Sequence, residues 1–162
     1  MKNETNILKY KLAVAELRNT GDPLKLAHAV RHLGDAYYYG GQPDMAEPCY
    51  VEALSIYRSR DDRRPLDYAN SIRSYAVIKG ELGAIDEAKR LWQEAHDLYE
   101  SENVAAGVAE SAARLALLFQ RQNDHRLSHQ WLTAATNAAQ VANDLETSQF
   151  IAEVKAQIGG GE

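Results

Sequence analysis

The chain has 162 residues, 45% of them hydrophobic and 25% charged, with 10 Gly, 4 Pro and one Cys, a size and composition that describe one folded domain and exclude a disordered or collagen-like chain. The formal net charge of −5 has the wrong sign for a general nucleic-acid binder, and no stretch approaches the roughly 20 apolar residues of a membrane span or the apolar run of a leader peptide. Neither nucleic acid nor membrane is expected as a partner, and a single Cys, unable to close an internal bridge, reads as a reduced, half-buried thiol in a cytoplasmic protein.

Helix is favoured throughout: Ala occurs 25 times, against 20 for Val, Ile and Thr together. The first element is expected over 4–19. Asp22 then offers an N-cap before Pro23, opening a second helix over 23–39 that Gly40-Gly41 ends. Pro43 and Pro65 suit the first turns of helices over 43–59 and 65–81, and Gly83 separates the latter from one over 85–101. Asn103, Asp124 and Asp144 are N-cap candidates for helices over 104–121, 124–142 and 144–157, with Gly159-Gly160-Gly161 in a flexible tail over 159–162. No apolar alternation long enough for a strand survives this parsing, so the fold class is all-α.

The chain repeats itself. Ala27 to Gly34 aligns without gaps with Ala69 to Ala76 and with Ala109 to Ala116, at spacings of 42 and 40 residues. The register continues through Ala46, Ala88 and Ser128, then Tyr50, Trp92 and Leu132, then Ala53, Ala95 and Ala135. Three helix–turn–helix copies at fixed spacing predict a solenoid whose units bury their apolar faces only against neighbours. Gly34, Ala76 and Ala116 are expected to face Ala46, Ala88 and Ser128, where small side chains bring two helix axes close together.

Leu33-Gly34-x-x-Tyr37, Ala46-x-x-x-Tyr50 and Ala53 resemble the tetratricopeptide signature. The stretches from Asp44 to Tyr57 and from Asp86 to Ala95 look like the longer, 42-residue repeats of the kinesin light chain type. Val30, Ile72 and Ala112 stand in the signature's Trp slot, and Arg58, Glu100 and Gln140 in its Pro slot. The resemblance implies an α-α superhelix, a right-handed solenoid of antiparallel helix pairs. Within one domain over 1–158, repeats at 24–59, 65–101 and 104–142 would be capped by the helices over 4–19 and 144–157.

The same resemblance implies that the first helix of each repeat lines a concave groove for a peptide or a partner's helix. Carried over by position, the groove residues are His28, Arg31, Asp35 and Tyr38, then Asn70, Arg73, Val77 and Gly80, then Glu110, Ala113, Leu117 and Gln120. Arg31 and Arg73 occupy equivalent positions and suit bidentate capture of carboxylates, which points to an acidic segment with a hydrophobic anchor. The plain alternative pairs them with nearby carboxylates such as Asp35 on a solvated face. Tyr37 fills a packing slot, while Tyr38 and Tyr39 are either binding or core aromatics. Val77 and Leu117 either meet a ligand or are covered by the C-terminal helix or a second copy of the chain. Asp35 argues against gripping a terminal carboxylate, and His32, Ser74 and Arg114 replace the Asn with which kinesin light chain repeats hold a peptide backbone.

Chemistry beyond binding finds little support. His28 and His32, like His125 and His129, are spaced to share a helix face, but only Asp35 offers a further ligand near the first pair. No zinc-protease, phosphate-loop or nucleophile-elbow motif occurs. Cys49 follows Pro48 with no activating His nearby, and the run Arg58 to Arg64 sets four Arg against two Asp in a connector. No catalytic residue, metal or cofactor is therefore expected. The reading is a non-enzymatic protein-interaction module, the alternative a self-associating homodimer using Ile7, Leu8, Leu12 and Val14 of the first helix.

Overall fold

A computed structural model describes residues 2–160. Eight helices follow in order: α1 (Lys2–Thr20), α2 (Pro23–Tyr39), α3 (Pro43–Arg58), α4 (Pro65–Glu81), α5 (Ile85–Ser101), α6 (Ala105–Arg121), α7 (His125–Ala142) and α8 (Leu145–Gly159). Among the described residues there is no strand, and no helix is long and apolar enough to cross a membrane.

The start signals act as the sequence implies. Asp22, Asp124 and Asp144 accept hydrogen bonds from the backbone N–H of Lys25, Leu127 and Thr147 at 3.1, 2.9 and 2.8 Å, satisfying donors that a helix start leaves orphaned. Pro23, Pro43 and Pro65 each open a helix. The stop signals differ in part. Gly41 and Gly83 take left-handed φ values of +74° and +77°, but so do three asparagines: Asn103 (58°), Asn123 (59°) and Asn143 (50°). Asn103 thus follows the end of α5 instead of capping α6, whose N-cap is Val104; Asn tolerates the left-handed conformation that ends a helix. Gly159 belongs to α8 and Gly160 is its C-cap, so these two residues are not part of a flexible tail; Gly161 and Glu162 lie outside the described residues.

The contacts divide the chain into two compact units, Met1–Ile78 and Lys79–Glu162. In the first, α1 packs on α2 and α2 on α3. Its core joins Val14, Val30, Leu33 and Tyr37 to Tyr50, Leu54, Tyr57, Tyr68 and Ile72, with the Tyr57 and Tyr68 rings 6.2 Å apart. In the second, α6 is the hub, packing on α5, α7 and α8. Its alanines Ala109, Ala112, Ala113 and Ala116 form one cluster with Ala135 and Ala139 of α7 and with Ile151, Val154 and Ile158 of α8.

The small-residue register is a burial register. Ala27, Ala69 and Ala109, Ala46, Ala88 and Ser128, and Ala53, Ala95 and Ala135 are all 0% exposed. Tyr50 and Trp92 are buried with them, whereas Leu132 is only half-buried. The contact at Gly34 is tighter than expected and sits further along α3. A Cβ on Gly34 would lie 2.8 Å from Tyr50 Cε1 and 3.1 Å from Cys49 Cβ. The glycine makes room for the Cδ1–Cε1 edge of the Tyr50 ring.

Candidate functional site

In the first unit, α2 turns a polar row toward its neighbours. Arg31 Nη1 donates to Asp35 Oδ2 at 2.9 Å, one helical turn away, and Arg31 Nη2 donates to His32 Nε2 at 2.7 Å. A guanidinium can only donate, so Nε2 must accept and His32 is neutral, with its proton on Nδ1, 3.5 Å from Asp35 Oδ2. Burial first, then the charge of Arg31 and the neighbouring His28, pushes the His32 pKa down to about 4. Asp35 Oδ1 accepts from the Tyr50 hydroxyl at 2.8 Å. Burial and that carboxylate push the Tyr50 phenol far up, which makes it a fixed donor. Arg31 Nε is buried without a hydrogen-bond partner. Of the two readings for Arg31, the structure realises the pairing with Asp35, at 13% and 21% side-chain exposure.

His32 also joins α1 to α2. Tyr10 stacks on its ring at 5.3 Å with a 13° tilt, and His28 meets it edge-on at 4.5 Å. Alongside lies a cleft of about 510 Å³, lined by Tyr10, Ala13, Leu17, Leu24, Lys25, His28, Ala29, His32, Arg64 and Asp67. Among the described residues no cluster of three or more His, Cys, Asp or Glu is placed to hold a metal ion.

The remaining nominated residues fall as follows. His28 is exposed; Tyr38, Asn70, Arg73 and Val77 are half-buried, as are Gly80, Glu110, Leu117 and Gln120 in the second unit. Tyr37 is core at 5% exposure, while Tyr39 stands 72% exposed with its ring edge-on to Tyr38 at 5.2 Å. Ala113 is a correction: it is completely buried in the cluster that α8 completes, so it offers nothing to a ligand. Leu117 packs against the same cluster and stays half-buried. Gln120 accepts from His125 Nδ1 at 3.0 Å. Arg114 places its guanidinium carbon 5.0 Å from the centre of the Phe150 ring and 5.9 Å from that of Trp92, joining α6 to α8 and α5.

Cys49 is half-buried, donates weakly to the Met45 carbonyl at 3.4 Å, and has its thiol pushed up to about 11 by burial. Three of the four connector arginines are held internally. Arg60 makes two 2.8 Å hydrogen bonds to Asp62, Arg58 donates to the Tyr68 hydroxyl, and Arg63 lies over the Tyr68 ring at 4.8 Å. Tyr10 and Leu17 were not found from the sequence because α1 lies outside the matched register, and Arg64 stood there only as part of a connector.

Eight helices in this order, with small residues buried at a fixed period, define a tetratricopeptide-like helical-repeat fold. Two solved structures share it. BtubC (BKLC) from P. vanneervenii superposes with a TM-score of 0.72 over 98% of this chain at 21% identity, and this chain spans 65% of its length. The N-terminal domain of stress-induced protein-1 (STI-1) from C. elegans gives a TM-score of 0.62 over 83% of this chain and 98% of its own, at 20% identity. No family model and no curated protein matches the sequence.

Proposed function

We propose that the protein is a non-enzymatic, cytoplasmic interaction module built of three tetratricopeptide-like repeats, with α1 and α8 as caps, that binds a peptide or partner segment along the first helices of its repeats. One observation carries this reading. The positions assigned to the groove, His28, Arg31, Asp35, Tyr38, Asn70, Arg73, Val77, Glu110, Leu117 and Gln120, all retain some exposure, whereas the small positions of the same helices are buried. Half-buried polar and aromatic side chains on rigid helices suit recognition. The proposed ligand is an acidic segment with a hydrophobic anchor.

The test is capture of partners by the immobilised protein, quantified by mass spectrometry and confirmed with one purified partner, beside a variant carrying His28→Glu, Arg73→Glu and Glu110→Lys. The variant is expected to lose the specific partners while keeping its circular dichroism. An unchanged set of partners overturns the reading. A second reading, self-association, has its own observation: Leu8 and Leu12, one turn apart on α1, are 60% and 63% exposed. A molar mass by light scattering that rises between two concentrations, and that Leu8→Lys with Leu12→Lys abolishes, would favour it.

A further inference from the structure

The cleft between α1, α2 and the start of α4 has a chemistry of its own. Its inner wall is apolar: Leu17 of α1 and Leu24 of α2 face it, with small alanines between. The imidazole of His32 adds no charge to this wall, because its Nε2 accepts from Arg31 and its ring is covered by Tyr10. The mouth sets two exposed cations, Lys25 and Arg64, beside the carboxylates of Asp22 and Asp67. Lys25 is 74% exposed and reaches only Asp22, whose carboxylate also caps α2. Arg64 is 82% exposed and approaches Asp67 through Nε at 3.7 Å. Its Nη groups have no partner among the described residues, which leaves the fork geometry of a guanidinium for an incoming carboxylate. The first turns of α2 and α4 also reach this rim through Leu24, Lys25 and Asp67, and helix N-termini favour negative charge.

We propose that this cleft is the anchor site of the module, receiving one apolar side chain of a partner segment between Leu17 and Leu24 while an acidic residue flanking that side chain pairs with Arg64. The proposal rests on the interaction-module reading and deepens it. It assigns the hydrophobic anchor to a pocket bordered by the capping helix α1, outside the row of positions inherited from the repeat register. An open cleft of about 510 Å³ accommodates a leucine or an aromatic ring with room for solvent at the mouth.

The probe is a fluorescein-labelled short peptide carrying one leucine among aspartates and glutamates, titrated with the full chain by fluorescence anisotropy. Replacing its leucine by serine is expected to weaken binding about tenfold or more, the effect of one buried aliphatic side chain. Arg64→Glu together with Lys25→Glu, both at exposed positions, is expected to weaken it about fivefold or more, while Arg126→Glu on α7 leaves it unchanged. With a benzophenone in place of the leucine, cross-links are expected on the peptides containing Leu17 or Leu24. No binding, binding indifferent to the leucine or to Arg64, or cross-links confined to α6 would each overturn the proposal. Cross-links on α6 would spare the interaction-module reading, and partner capture that survives Arg64→Glu but fails with the His28, Arg73 and Glu110 variant would do the same.

Discussion

The same substitution at two helical glycines of the second unit should move stability in opposite directions. A Cβ on Gly107 of α6 would stand 2.5, 2.6 and 2.8 Å from the Cγ, Cδ1 and Cδ2 atoms of Tyr99, about 1 Å inside the separation at which carbon atoms attract. Tyr99 is only 3% exposed, so its ring must push into packed neighbours to make room. Overpacking of this kind costs about 1–3 kcal/mol. Against it stands a gain of at most about 1 kcal/mol for replacing a helical glycine, smaller here because Gly107 lies in the first turn. Gly107→Ala is therefore expected to destabilise by about 1–2 kcal/mol, lowering Tm by roughly 2–4 °C per kcal/mol in a chain of this length. At Gly80 the added Cβ would meet Leu118 Cδ2 at 3.8 Å and Ala88 Cβ at 3.9 Å, ordinary van der Waals contact. Gly80→Ala should raise Tm by about 1–3 °C, through helix propensity alone. Differential scanning calorimetry of both variants decides the matter. A rise for Gly107→Ala, or shifts of the same sign at both sites, would refute the account of the α5–α6 contact.

Three further outcomes follow from the buried polar groups. Folding depresses the His32 pKa from 6.5 to about 4, so between those values the unfolded chain takes up a proton that the folded chain refuses; stability should fall as pH drops through this window, by on the order of 2 kcal/mol after solvent screening, and urea titrations should show His32→Gln without that step. Asp35→Ala strands the Arg31 guanidinium and the Tyr50 hydroxyl together and should cost about 2–4 kcal/mol in urea unfolding, with Asp35→Asn milder because it still accepts from Tyr50. Ser128 is 0% exposed and its hydroxyl has no hydrogen-bond partner, so Ser128→Ala, restoring the residue type of Ala46 and Ala88, should raise stability by about 1 kcal/mol.

The fold was legible because its determinants are local or periodic. A proline at a helix start, an aspartate before it and an alanine recurring at intervals of 42 and 40 residues each act through short-range geometry, and Asp22, Pro43 and Ala88 do in the structure what their chemistry dictates. Asn103, Asn123 and Asn143 were harder to read, since asparagine serves both as an N-cap and as a left-handed terminator. The choice between those roles depends on which side of the turn the next helix starts. Ala113 misled for a related reason. Its register matched a groove position, but exposure is settled by what lies on top, and α8 brings Ile151, Val154 and Ile158 onto α6.

Charge placement was the least legible property, and Arg31 shows why. Its spacing to Arg73 suggested a pair waiting for a ligand, and its spacing to Asp35 suggested a local ion pair. The first is a repeat period between α2 and α4 and the second a period within α2, so pattern alone could not rank them. The ranking comes from the third dimension. Tyr50, held against Gly34, donates to the far oxygen of Asp35 and keeps that carboxylate where Arg31 reaches it. His32 accepts from the second nitrogen of Arg31 because Tyr10 and His28 fix its ring. A ligand carboxylate that took Arg31 would leave Asp35 without its guanidinium at low solvent exposure, a penalty on the order of 1–3 kcal/mol. Arg64 carries no such penalty. It stands exposed beside an apolar cleft with its terminal nitrogens uncommitted, so of these two arginines it is the one a partner can engage without dismantling the fold.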